Sequence, residues 1–188
     1  IERQGLDKEI TQHALSIIQE NENLISKKTT VLYHEKWHKG VVGIVASRLT
    51  EKYYRPTIIL TESNGMATGS ARSVKDFDVY EAISSCSELL EQFGGHKYAA
   101  GLTLKRENVE LFSKRFEEVV NASITDNMLV PEIEIDAEID FNDITPKFIR
   151  ILKQLSPFGP GNMTPVFLTR GVNDSGWFKV LKLSLIHI

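Results

Sequence analysis

The sequence is poor in several features, and each scarcity excludes a class of protein. It has one cysteine, Cys86, in 188 residues, which excludes an internal disulfide, suits a reducing cytoplasm and favours a buried side chain. No run of about 18 apolar residues occurs, so we expect no membrane span. The net charge is -3, so the chain has no overall basic field. Any contact to nucleic acid must therefore come from a local patch.

Metal-binding patterns are also missing from the sequence. The acidic residues of 132–139 alternate with apolar ones, which is typical of a strand with a solvent-facing acidic side. The five histidines are scattered without ligand spacing, at His13, His34, His38, His96 and His187. We therefore expect no metal or other cofactor on this chain. It opens with IERQ, without a signal peptide or initiator methionine, and is interpreted as a piece of a longer protein.

The most informative segment reads QFGGHKYAAGLTL. Gly94 and Gly95 allow positive φ and bring backbone N–H groups close to a ligand. His96 can add a directed donor to the same anion, and small residues at Ala100 and Gly101 leave space above the backbone. The segment predicts a phosphate-sized pocket between a helix and a strand. The alternative, a glycine that caps a helix beside an incidental histidine, stays open at this point.

A second segment, WHKGVVGIVASRL, predicts a loop with glycines and then a helix that runs to about Tyr54. After His38 and Gly40, the helix would offer unpaired N–H groups and its positive dipole end to an anion. Gly43 lies inside this helix at a cost of about 1 kcal/mol relative to alanine, which indicates close packing or ligand approach. Arg48 belongs to a local basic excess on the helix. An ordinary turn with a tryptophan at the core edge is the alternative.

The third segment follows an Asn64-Gly65 pair, which is a strong signal for a β-hairpin. It predicts a strand of small residues that ends at Arg72 and Ser73. Small side chains beside one guanidinium fit a surface that a phosphate backbone approaches closely. An edge strand with a surface arginine is equally compatible with the pattern.

The order of elements predicts an α/β fold, a mixed sheet with flanking helices. Before the third segment we expect a helix from Leu6 to about Asn21 and strands at 29–34 and 57–60. After it we expect a helix from Val79 through Phe93 that stops at the glycine pair, a strand at 102–104 and an amphipathic helix from Asn108 to Val120.

A second unit is predicted after a linker at 126–131. It has a strand at 132–139, a helix at 145–155, a turn at 156–162 and a strand at 165–168, which together suit a partial small β-barrel. Residues 176–185 read as one strand, although a barrel would need a hairpin near Val180 and Leu181. The missing turn would be explained if residues were left out of the sequence at this point, or if the barrel were truncated.

The three segments together resemble the DHHA1 domain of the DHH phosphoesterase superfamily. With the FGPGN turn at 158–162 they also resemble the bacterial RecJ-type exonucleases specific for single-stranded DNA, from Arg3 to about Phe167. The resemblance implies a connector helix from an absent upstream DHH domain at 1–27, a DHHA1 domain at 28–125, and a linker with a partial OB-like domain at 126–188.

The resemblance also implies roles for individual residues. His96 and the amides of Gly94 and Gly95 would bind a phosphate of the terminal nucleotide. Arg72 and Ser73 would bind a neighbouring phosphate. Residues 38–43 would line the same wall, with Arg48 nearby.

At the level of the parent protein, the resemblance implies a 5′-to-3′ exonuclease whose DHH domain holds Mn²⁺ or Mg²⁺. The partners implied are single-stranded DNA and, as candidates, single-strand-binding protein or a helicase. This chain has no Asp-His-His motif, so we predict that it does not cleave DNA alone. Two alternatives stay open: an oligonucleotide or phosphoadenosine phosphatase, and a noncatalytic nucleic-acid-binding module.

Overall fold

The computed structural model describes residues 2–173, 178–181 and 184–187, which divide into two units after Pro131. The first unit contains, in chain order, α1 (Glu2–Gln19), α2 (Glu22–Ile25), β1 (Thr30–Tyr33), α3 (Val42–Tyr53), β2 (Thr57–Ser63), β3 (Met66–Arg72), α4 (Val79–Ser84), β4 (Gln92–His96), β5 (Ala99–Lys105) and α5 (Val109–Ser123). Short 3-10 helices lie at Ser87–Leu89, Arg106–Asn108 and Asp126–Leu129. The predicted α/β class, with a mixed sheet between helices, is confirmed.

The five strands of the first unit form one sheet in the order β1-β2-β3-β5-β4. The β1–β2 pair is parallel, and the other neighbours are antiparallel. Alternate side chains enter two separate cores, because successive residues of a strand point to opposite faces. On one face, Leu102 and Leu104 pack with α4 and α5. On the other, Leu32 and Ile59 pack with α3, and α1 packs against α3.

The predicted hairpin between β2 and β3 is confirmed. Asn64 has φ 55° and Gly65 has φ 78°, and Ser63 pairs with Met66 across the turn. These positive φ angles are what a two-residue hairpin loop needs, and Asn-Gly adopts them at low cost. The hairpin fixes the register of β3 and therefore the face on which Arg72 lies.

The helix predicted from Val79 through Phe93 is wrong in its second half. Helix α4 ends at Ser84, and Gln92–His96 forms β4, an edge strand paired with β5. Two adjacent glycines disfavour a helix, while β5 offers a free row of hydrogen-bonding groups. Phe93 still reaches the core, because its ring lies 5.7 Å from that of Tyr80. The glycine pair therefore lies on a sheet and not at the end of a helix.

The second unit contains β6 (Ala137–Glu138), a 3-10 helix at Phe141–Asp143, α6 (Pro146–Gln154), β7 (Phe167–Leu168), β8 (Phe178–Leu181) and β9 (Ser184–His187). The predicted helix is confirmed, and Thr145 caps it by accepting a hydrogen bond from the Phe148 N–H at 3.2 Å. The strand predicted at 132–139 is too long. Only two residues of it pair, with β7, and Ile133 is 76% exposed.

The turn predicted at 156–162 is confirmed, whereas the single strand predicted at the end of the chain is wrong. The turn forms, and the side-chain amide of Asn162 donates to the carbonyls of Leu155 (2.8 Å) and Pro157 (3.0 Å). The single strand predicted at 176–185 is instead the antiparallel hairpin β8–β9, in which Val180 pairs with Leu185. Within that prediction, residues 176–177 and 182–183 lie outside the described residues.

Candidate nucleic-acid interface

On the face of the sheet that carries α3, this helix packs against β2 and β3, whereas Gln92 and Gly94 of β4 and Gly101 of β5 are exposed. We call the surface of β3, β5 and β4 on this side of the sheet the open face. The strand register aligns its residues in three rungs, Arg72–Ala99–His96, Ser70–Gly101–Gly94 and Thr68–Thr103–Gln92. Segments more than twenty residues apart in the chain are thereby brought to one surface. The structure places Arg72 and His96 on the same side of the sheet, two strands apart.

The glycines of the middle rung leave the open face without side chains. A Cβ on Gly94 would meet nothing within 4 Å, and one on Gly101 would meet only the Gly69 carbonyl oxygen, at 3.8 Å. A Cβ on Gly95, by contrast, would lie 2.3 Å from the Ala99 carbonyl oxygen and 2.5 Å from the Ala100 Cα. Gly95 is therefore required by the close approach of two strands. Gly94 and Gly101 have no such requirement among the described residues, which leaves room for a ligand.

A cavity of about 300 Å³ lies on this surface. Its lining is mostly backbone and short polar side chains, from Thr68, Gly69, Gln92, Phe93, Gly94, Gly101, Leu102 and Thr103. Since β4 is an edge strand, alternate N–H groups of its backbone point away from β5. The backbone donors predicted for a phosphate therefore belong to a strand edge.

Arg72 is a half-buried cation without an acidic partner. Its Nη1 donates to the Ala71 carbonyl oxygen at 2.8 Å, and its Nη2 lies 3.0 Å from the position of a Cβ on Gly43. No carboxylate of the described residues forms an ion pair with it, and burial lowers the pKa of its guanidinium. A partly desolvated positive charge without a counter-charge favours an anion at this position.

His96 is exposed at the other end of the same rung. Its Nδ1 accepts a hydrogen bond from the Tyr98 N–H at 3.3 Å, so in the neutral imidazole Nε2 carries the hydrogen. Ser73, in contrast, uses its hydroxyl within the loop after β3, where it donates to the Phe77 carbonyl oxygen at 2.8 Å. The structure therefore keeps His96 available as a donor and engages the Ser73 side chain elsewhere.

The start of α3 reaches the open face through Gly43. Its missing side chain lets Ser70 and Arg72 approach, since a Cβ there would also lie 3.4 Å from the Ser70 Oγ. No side-chain hydrogen bond caps this helix, so its positive end is not neutralised by a capping carboxylate. His38 and Gly40 lie in the preceding loop, where the His38 Nδ1 accepts from the Gly40 N–H at 3.1 Å.

Three predicted site residues, His38, Arg48 and Ala100, are not part of the open-face cavity. Ala100 does not leave space for a ligand, because its side chain is buried in the core on the other face of the sheet. His38 lines a different cavity, of about 290 Å³, between α1 and the loop after β1. Arg48 forms an ion pair with the buried carboxylate of Asp7 at 2.9 Å and thus ties α3 to α1. Arg55, a second basic residue near α3, follows the end of this helix, is buried and donates to the Leu24 carbonyl oxygen at 2.9 Å. Much of the basic excess near α3 therefore serves the fold.

Three polar side chains of the open face were missed at the sequence level, namely Thr68, Gln92 and Thr103, and Ser70 was included in a motif without a role. Two-residue alternation could have identified Thr68 and Ser70, because they share a face with Arg72. Gln92 and Thr103 depend on the pairing of β4 with β5, and no local signal in the sequence gives that pairing.

The described residues contain neither a metal site nor a membrane-spanning helix. No three histidine, cysteine, aspartate or glutamate side chains come together there as a metal site. None of the helices in that part of the chain has the length and apolar character needed to cross a membrane.

Cys86 is fully buried, as predicted, and burial raises the pKa of its thiol to about 11.

Comparison with known families gives two matches. The profile of the DHHA1 domain matches residues 26–122, and that of the RecJ OB domain matches residues 135–184. The first match covers just over half of the chain and contains every strand of the sheet with the open face.

Curated relatives carry the name single-stranded-DNA-specific exonuclease RecJ. The protein from Bacillus subtilis is 38% identical over 166 residues, which are 87% of this chain and 21% of the relative. The protein from Escherichia coli is 32% identical over 160 residues, 82% of this chain and 26% of the relative. This chain therefore spans only a fifth to a quarter of these proteins.

Solved structures of RecJ are also similar to this chain. RecJ from Thermus thermophilus in complex with Mn²⁺ superimposes with a TM-score of 0.76 at 31% identity, over 89% of this chain and 24% of that one. A complex of the same protein with Mg²⁺ gives a TM-score of 0.75.

Proposed function

The chain belongs to the DHHA1 domain family, and on that premise we propose that it is the substrate-binding part of a RecJ-like 5′-to-3′ exonuclease that acts on single-stranded DNA. The observation that carries the proposal is the open face. It combines an unpaired guanidinium, an exposed imidazole and a floor of glycines on one surface. The match of residues 135–184 to the RecJ OB domain supports the same assignment.

The open face suits a phosphodiester strand for three physical reasons. The Arg72 guanidinium can donate two hydrogen bonds to one phosphate, and its partial burial strengthens that interaction. The His96 Nε2 can donate to the same phosphate or the next one. The bare backbone at Gly94 and Gly101 lets the strand approach the sheet without steric hindrance.

His38, Gly40 and Ser73 take a smaller part in this proposal. Residues 38–40 flank the positive end of α3, and the Ser73 N–H already donates to the Tyr98 carbonyl oxygen at 3.0 Å. We therefore assign these residues to shaping the edge of the interface. Arg48 is assigned to the contact between α1 and α3.

Hydrolysis requires groups that the described residues do not supply. They offer no cluster of three or more side chains that could hold a metal ion. We propose that Mn²⁺ or Mg²⁺ lies in a DHH domain of the parent protein, where such ions activate water for attack on phosphorus. The OB-like unit would hold the strand further along.

A DNA-processing role fits the bacterial cytoplasm, and single-strand-binding protein or a helicase are candidate partners. A phosphatase of short oligonucleotides or of phosphoadenosine compounds would share the glycine-glycine-histidine segment. The RecJ OB match favours the exonuclease, because we expect those shorter enzymes to end before that region.

The test is DNA binding by the full-length parent protein with Arg72→Ala or His96→Ala. Each variant should bind a 5′-phosphorylated single strand about tenfold more weakly, because a charge-assisted hydrogen bond contributes about 1.5–3 kcal/mol. Fluorescence anisotropy at fixed salt measures this. Arg115→Ala, on α5 at the opposite face of the sheet, is the matched control and should bind normally. Unchanged affinity of both test variants would reject the proposal.

A further inference from the structure

The end of the open face farthest from Arg72 is neutral and rich in hydrogen-bonding groups. The Thr68 Oγ1 donates to the Leu102 carbonyl oxygen at 3.3 Å and lies 3.0 Å from the Thr103 Oγ1. If the Thr68 hydrogen is used on Leu102, the Thr103 hydroxyl donates to Thr68. The lone pairs of Thr103 are then left to accept a hydrogen bond from a ligand.

Gln92 completes this rung from the edge strand. Its side chain is exposed, and no hydrogen bond to its carboxamide occurs among the described residues. The carboxamide offers both donors and an acceptor. With Thr103, it gives the cavity a neutral recognition surface that can both donate and accept.

Charged groups are absent from the lining of the cavity. The nearest cation along β5, Lys105, lies one rung beyond Thr103 and is 3.9 Å from the Glu91 carboxylate. A phosphate is therefore better bound at the Arg72 rung. Neutral polar groups of this kind recognise base edges and sugar hydroxyls.

The spacing of the rungs matches a nucleotide strand in contact with the sheet. Equivalent side chains of a strand are about 6.8 Å apart, so the Gln92 rung lies about 14 Å from the rung of Arg72 and His96. The glycine rung between them has no side chain to obstruct a strand. A cavity of about 300 Å³ is at the lower limit of small-molecule sites and suits one nucleobase better than a longer ligand.

We propose that this cavity is a nucleoside subsite, in which Gln92 and Thr103 bind the base of a nucleotide two rungs away from the phosphate held by Arg72 and His96. This inference rests on the proposed function. A rotatable carboxamide and a hydroxyl can each serve as donor or acceptor, so the subsite accepts any of the four bases. It distinguishes a strand with a base at this position from a strand without one.

The experiment measures binding of 5′-phosphorylated single strands to the full-length protein in EDTA, which prevents metal-dependent cleavage. An abasic site is moved one nucleotide at a time along the strand. Wild type should lose about three- to tenfold in affinity at one position only. Gln92→Ala and Thr103→Val should show a similar loss on the intact strand, no further loss at that position, and an unchanged salt dependence. Gln12→Ala, the same change on the exposed side of α1, should behave as wild type.

The outcomes separate this inference from the proposed function. The nucleoside subsite is rejected if the abasic scan is flat, if both variants bind the intact strand as wild type does, or if they flatten the salt dependence as loss of a phosphate contact would. In any of these cases, weak binding by Arg72→Ala would leave the proposed function intact. If Arg72→Ala and His96→Ala both bind normally as well, both proposals fail.

Discussion

Gly43 connects the start of α3 to the cation of the open face. Any side chain there would meet the Arg72 Nη2 at 3.0 Å, and this atom is the mobile end of a long side chain. A methyl group would therefore displace the guanidinium without disturbing the backbone. The sequence showed a costly glycine inside a helix, and the structure gives the reason for it.

Gly43→Ala should separate stability from binding. The free energy of unfolding should stay constant or rise by up to about 1 kcal/mol, because alanine favours a helix. Affinity for single-stranded DNA should fall about fivefold, because a displaced arginine loses part of its charge-assisted hydrogen bonding. Urea denaturation and anisotropy on the full-length protein measure the two quantities.

Gly5→Ala is the control for this variant. Gly5 also lies in a helix, α1, and a Cβ there meets nothing within 4 Å. The Gly5→Ala variant should have a higher free energy of unfolding, because alanine favours a helix, and it should bind DNA as wild type does. Normal binding by Gly43→Ala would mean that the position of Arg72 does not depend on Gly43.

Contacts between elements explain why one predicted site residue is better assigned to the fold. The carboxylate of Asp7 is buried, and Arg48 is its ion-pair partner across the α1–α3 contact. Removing one partner of a buried ion pair lowers the free energy of unfolding by more than the intact pair contributes to it, because the other charge is left buried and unpaired. Arg48 should therefore act on stability and not on DNA.

Arg48→Ala should lower the free energy of unfolding by about 2 kcal/mol and leave the salt dependence of DNA binding unchanged. In the double variant Asp7→Ala/Arg48→Ala, the free energy of unfolding should fall by less than the sum of the decreases in the two single variants, because no buried charge is then left unpaired. If Arg48→Ala is as stable as wild type but binds DNA more weakly, Arg48 contacts DNA and our assignment of it to the fold is wrong.

Three rings, those of His13, His34 and Trp37, form a contact between α1 and the loop after β1. The Trp37 Nε1 donates to the His13 Nδ1 at 3.2 Å, and the ring of His34 lies 4.7 Å from that of His13. Burial, and next the proximity of His13, lower the pKa of His34 from 6.5. The unfolded chain therefore binds the proton at a higher pH than the folded one does.

The free energy of unfolding should thus fall as the pH drops below about 6.5. Urea denaturation of wild type and His34→Gln on both sides of this pH measures the effect. The variant should lose part of the decrease. An identical decrease in wild type and His34→Gln would exclude His34 as its source.

At the scale of the whole molecule, the sequence was sufficient for local features and for the family. The Asn64-Gly65 hairpin, α3 and the strand ending at Arg72 all depend on neighbours in the chain, and they were predicted correctly. Strand β4 was mistaken for a helix because its pairing with β5 is a tertiary contact. The same contact brings Gln92 beside Thr103, so the cavity could not be predicted either.

The charge of the whole chain bears on the proposed binding of DNA. With a net charge of -3, long-range attraction by this chain contributes little, and the proposed binding must depend on a small number of local cations. Loss of a single phosphate contact should then be a measurable fraction of the total salt dependence. This makes the salt dependence a direct test of the open face.

The measurement is the slope of log affinity against log salt concentration for the full-length protein with single-stranded DNA. For wild type and Arg115→Ala we predict the same slope, and for Arg72→Ala a slope smaller in magnitude by about 0.7, the value for one phosphate contact on a single strand. Equal slopes for all three proteins would contradict the claim that Arg72 binds a phosphate on the open face.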